Sequence, residues 1–111
     1  MKIADLQEKI KQMDEIRKPK FRLYSPQEKI ILTKTVKLNE EVGELCNDIL
    51  SVLKLQRKSK LEKFDKRNFY EEFADVIITT IQLANAAGVD VKRALNDKLK
   101  KIESRYKKDH S

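Results

Sequence analysis

Residues 76–89 (VIITTIQLANAAGV) carry no charge, in a chain of which Asp, Glu, Lys and Arg make up 39%. The run reads as the main part of a helix that begins near Asn68 and is stopped by Gly88. A helix whose main run carries no charge is expected to be buried on most sides. Four helices of this size give one thin bundle, which struggles to cover it, and the apolar surface left over marks an interface. Only two Gly and two Pro punctuate the 111 residues, a balance that favours long helices over strands and turns. The expected fold is therefore all-α. It is a single domain over residues 1–111 and a four-helix bundle, completed by oligomerisation, at least to a homodimer.

Residues 1–24 read as an N-terminal helix and loop, and residues 25–107 as the helices that carry the site. Ile3, Leu6, Ile10, Met13 and Ile16 recur at spacings of three and four, giving an amphipathic helix to about Arg17. Pro19 ends it. Residues 18–24 form a loop, whose Phe21 and Tyr24 suit packing against the bundle better than contact with a nucleobase. Ser25 and Pro26 are a helix start, N-cap and first helical residue. The second helix runs to about Leu55, with Gly43 inside it at a cost of about 1 kcal/mol relative to alanine. Close approach of a backbone or ligand would account for that glycine, and so would tight helix packing. Residues 56–67 are polar and read as a mobile connection with room for an extra helical turn. Asp90 caps a last helix to about Lys107. Its seam is Val91, Leu95, Ile102 and Tyr106, with Leu99 at one edge and Lys98, Lys101 and Arg105 along the other. Such cations suit phosphates, although the helix dipole alone also favours them.

The second helix contains KLNEEVGEL at 37–45. At about 100° per residue, Glu41 and Glu44 lie on nearly the same side, beside a stripe of Leu38, Val42, Leu45 and Ile49. Glu41 is thus at the border of the core and Glu44 just outside it. Like charges at this spacing repel, and a half-buried carboxylate loses hydration. A cation removes both costs. An isolated E-E-x-x-E is commonly a solvated acidic face, but a second pair, Glu72 and Asp75, stands at the head of the uncharged helix. Carboxylates entering such a helix need compensation. The 27 residues from 45 through 71 leave room for an antiparallel return that brings the two pairs face to face. Four carboxylates from two helices can hold one or two hard divalent cations, with positions left open for phosphate oxygens. Lys34, Lys37, Glu41, Glu44 and Asp48 share a face of this helix, with the lysines upstream, and simple salt bridging accounts for both lysines.

Scarce residues bound the chemistry. Cys46 is the only cysteine, and His110, one residue from the end, the only histidine. They allow no internal disulfide, no cysteine metal site, no histidine-dependent catalysis and no Glu-x-x-His di-iron set. A metal would be held by carboxylates alone, which suits magnesium or manganese. Cys46 reads as a small buried side chain rather than a nucleophile. With no apolar signal core and no stretch of membrane-spanning length, the expected compartment is the cytoplasm and no membrane partner is expected. The net charge of +7 attracts polyanions. Its cations are scattered over all the helices and interleaved with acids, which argues against nucleic acid as a partner.

In KLNEEVGEL, EEFADVIITTIQLANAAGVD and the closing NDKLKKIESRY, the sequence resembles the MazG-like family of all-α nucleoside triphosphate pyrophosphohydrolases, over roughly residues 25–106. The two-part acidic motif is specific when both halves, their order and their spacing agree. The resemblance implies cleavage of a (deoxy)nucleoside triphosphate between the α and β phosphates, giving monophosphate and pyrophosphate, in a house-cleaning role. It implies magnesium, with manganese as the alternative, held by Glu41, Glu44, Glu72 and Asp75. Glu40, together with Glu41, would orient or activate the attacking water. Lys98 and Arg105 match basic positions that meet the phosphates, Asn96 matches an asparagine often found there, and Lys37 joins them as a substrate-binding candidate. Family members form dimers or tetramers with sites near the subunit contacts, so the resemblance implies a homodimer or homotetramer. Relatives directed at dCTP use tryptophan around the base, and this chain has none, so base preference stays open. A phosphoribosyl-ATP pyrophosphohydrolase-like enzyme shares the fold and ranks second. A non-catalytic helical binding or adaptor module is the alternative outside enzymes, against which the intact carboxylates count.

Overall fold

A computed structural model of the chain describes residues 2–17, 23–62 and 65–109. Their secondary structure is helical throughout, in the order α1 (Ile3–Arg17), α2 (Pro26–Val52), α3 (Lys58–Glu62), α4 (Lys66–Ala87) and α5 (Val91–Asp109). The all-α expectation holds, and α3 is the extra turn inside the polar connection. Pro19, Phe21 and His110 lie outside the described residues.

Local chemistry sets the helix ends. The Ser25 hydroxyl accepts from the Glu28 amide at 3.1 Å, and the Glu28 carboxylate accepts from the Ser25 amide at 2.9 Å. This reciprocal box satisfies two amides that a helix start leaves without partners. α2 stops at Val52, short of Leu55. Lys54 turns left-handed at φ 58, and the Leu55 amide returns to the Leu50 carbonyl at 2.8 Å. α4 ends the same way with the residue better suited to it: Gly88 has φ 73, and the Val89 amide reaches the Ala84 carbonyl at 2.8 Å. Asp90 then caps α5, its carboxylate accepting from the Arg93 amide at 3.1 Å.

α2 and α4 form an antiparallel hairpin, the one extensively packed helix pair among the described residues. At its open end, away from the connection through α3, the Gln27 side-chain amide at the start of α2 donates to the Ala86 carbonyl at the end of α4. Further along, Glu41 lies beside Glu72. The same interval of 14 residues separates these two cross-links on each helix, so the pair holds one register without a slip.

α1 and α5 do not fold back over this hairpin, and the consequence falls on α4. Its uncharged run is covered by α2 on one side only, and Ile77 and Ile78 remain 60% and 53% exposed. The expectation of burial on most sides is not met within one chain. The seams of α1 (Leu6, Ile10, Met13) and α5 (Leu95, Leu99, Ile102, Tyr106) are exposed too, as is Tyr24. Cys46, expected to be buried, is exposed, because it projects from α2 well away from the line of Leu38, Glu41 and Leu45 that faces α4. No hydrophobic side chain among the described residues is fully buried. The radius of gyration is 21.1 Å, against about 13 Å for a compact chain of this length. No helix among the described residues is long and apolar enough to cross a membrane.

Candidate metal centre

The register of α2 and α4 sets two acidic pairs against each other halfway along the hairpin. Carboxylate oxygens of Glu41, Glu72 and Asp75 lie within 4.8 Å of one another. Their environments differ. Glu41 is 9% exposed, Glu72 is half-buried and Asp75 is open to solvent. One oxygen of Glu41 and one of Glu72 are fully enclosed and meet no hydrogen-bond donor. A buried carboxylate oxygen without a donor is expensive, and two of them inside one acidic cluster add mutual repulsion. Burial above all pushes the Glu72 carboxyl above its ordinary range, and the charges of Glu44, Asp48, Asp75 and Glu41 push it further in the same direction. The donor set is all oxygen and all anionic, and its enclosed atoms lack partners. It fits a hard divalent cation.

Other residues are placed less uniformly. Glu44 is exposed, one turn on from Glu41, outside the closest triad but near enough for its charge to act on Glu72. Glu40 is exposed and tied to Lys37, whose ammonium lies 3.5 Å from Glu40 and 3.2 Å from Glu41. The hydrogen bond to Glu41, and then the charge of Glu40, hold the Lys37 ammonium above its usual value. Lys37 therefore offsets the charge of Glu40 and Glu41 from upstream on α2. Thr79 is 6% exposed, and its hydroxyl donates to the Asp75 carbonyl at 2.6 Å, closing the α4 side of the site. Asn96, Lys98 and Arg105 are exposed on α5, with no side-chain hydrogen bond or ion pair to any described residue. The single chain does not bring them to the cluster.

Asp48 is missing from the ligand set read in the sequence. It is half-buried, burial pushes its carboxyl up, and it is among the charges acting on Glu72. The signal was in the spacing, since Asp48 is one turn beyond Glu44 and two beyond Glu41 on the same stripe.

Among models of known families, the one for the MazG-like family matches residues 32–111. The chain belongs to the MazG-like family. No curated protein and no solved structure matches it. The match begins inside α2, upstream of KLNEEVGEL, and spans both halves of the acidic motif and all of α5. In this MazG-like chain α1 and the capping box at Ser25 lie outside the matched region.

Proposed function

We propose that the chain is a magnesium-dependent nucleoside triphosphate pyrophosphohydrolase that cleaves between the α and β phosphates. The observation that carries this reading is the pair of enclosed, donorless oxygens of Glu41 and Glu72 in a three-carboxylate cluster of a MazG-like chain. Glu41, Glu72 and Asp75 would hold the cation, with Glu44 beside them. When bound, the ion neutralises phosphate charge and lowers the pKa of coordinated water. Glu40, exposed and steered by Lys37, accepts a proton from the attacking water. Lys37 holds Glu41 in place from the upstream side. No protein nucleophile is needed, since in-line displacement demands mainly placement and charge stabilisation.

The chain acts as a homo-oligomer. Its accessible surface is 10182 Å², whereas a compact monomer of this mass exposes about 6,400 Å². The excess is on the scale of an obligate interface. A second copy that covers α4 also brings a second α5, so Asn96, Lys98 and Arg105 of one chain serve the phosphates at the cluster of another.

Pyrophosphate release from a panel of ribo- and deoxynucleoside triphosphates, with and without magnesium, tests the activity. Metal-dependent release from at least one is expected, with a loss of about 100-fold or more in Glu72→Gln. No release from any triphosphate by a folded, magnesium-loaded protein would reject the reading.

A further inference from the structure

Lys34 and Lys37 stand one turn apart on the same stripe of α2, yet only one of them is neutralised. Lys37 sits between Glu40 and Glu41. Lys34 is half-buried and has no ion pair or side-chain hydrogen bond with any described residue. Beside it lies an open groove of about 230 Å³ on the surface of α2, lined by the exposed Lys29, Ile30 and Thr33 and by Lys34. A partly desolvated ammonium with no counter-ion is unfavourable, and a second ammonium at the same groove adds repulsion. An anion in the groove relieves both.

The position of the groove says which anion. Glu41 follows Lys34 by seven positions. That is two helical turns, so both project from nearly the same side of α2, about 10 Å apart along its axis. A chain of phosphates anchored at the acidic cluster and running toward the start of α2 meets the flexible Lys34 side chain next. Lys29, exposed and further upstream on α2, borders the same groove.

We infer that this groove seats the terminal phosphates of the substrate, the part that departs as pyrophosphate, with Lys34 as its main cation and Lys29 as the second. The inference rests on the pyrophosphohydrolase reading for the identity of the substrate, while the anion site itself stands on Lys34 and the groove. It divides the recognition of the triphosphate in two. The acidic cluster holds the metal-bearing segment, and the lysine groove holds the leaving group.

Calorimetric titration with pyrophosphate at saturating magnesium tests it without turnover. Lys34→Gln should weaken pyrophosphate binding about 10-fold or more, the loss of one charge-assisted contact, and leave the affinity for magnesium alone unchanged. Lys34→Arg should keep most of the binding, and Lys58→Gln on α3 should bind as the wild type does. Unaltered pyrophosphate affinity in Lys34→Gln, or an equal loss in Lys58→Gln, would overturn the assignment. The two readings can fail separately. Lys34-dependent pyrophosphate binding without hydrolysis of any triphosphate would sink the activity and keep the site. Hydrolysis with wild-type pyrophosphate binding in Lys34→Gln would do the reverse.

Discussion

Glu72 enters α4 with an enclosed oxygen that no donor meets and with acids on both helices acting on it. Its raised carboxyl pKa means that, between the ordinary glutamate value and the raised one, the folded protein holds a proton the unfolded chain has lost. Folding is therefore favoured as pH falls through that window and disfavoured as it rises. In metal-free protein the melting temperature of the wild type should gain on that of Glu72→Gln as the buffer is taken from neutral into the upper carboxylate range. Magnesium should reverse this preference, because the ion needs the ionised ligand, and should raise the melting temperature at neutral pH by mass action. Thermal melts at several pH values, with and without the ion, read both effects. A metal-free wild type that loses ground to the variant on acidification would contradict the account of Glu72.

α2 is the element that carries the site, and Gly43 lies in its middle with nothing within 4 Å of where a Cβ would stand. No backbone among the described residues approaches it closely. Gly43→Ala should therefore stabilise α2 by about 1 kcal/mol, read as a higher urea midpoint at unchanged slope. A loss instead would show that a second copy's backbone approaches there. Much at this scale was legible in the sequence, because caps and periodicity act locally. Ser25-Pro26, Gly88 and Asp90 mark ends that the structure keeps. The juxtaposition of Glu41 with Glu72 and Asp75 followed from helical period and return length alone. The end of α2 was less legible, since Lys54 takes a left-handed turn that nothing in its residue type announces. Asp48 shares the acidic face in the sequence but lies outside the two-part motif, which leaves it out of the ligand set. The difference between paired Lys37 and unpaired Lys34 could not be read at all, for both occupy equivalent steps of one stripe and only side-chain placement separates them.

At the scale of the whole molecule, the uncharged run of α4 and the seams of α1 and α5 stay open to water. A chain whose apolar faces find cover only in another copy has a stability that depends on its own concentration. The melting temperature should rise with protein concentration across the micromolar range, and scattering should report a mass of at least two chains. A concentration-independent melt with a monomer mass would exclude the oligomer. The separation of α5 from the α2–α4 hairpin has a further consequence, a genetic one. Damage to the acidic cluster and damage to the α5 cations would fall on different halves of a shared site. Glu72→Gln and Lys98→Ala chains, each nearly inactive alone, should complement when co-expressed. In every mixed dimer the intact cluster of the Lys98→Ala chain is served by the intact α5 of the Glu72→Gln chain. Two defective alleles would then yield a working enzyme, with one functional centre per mixed pair.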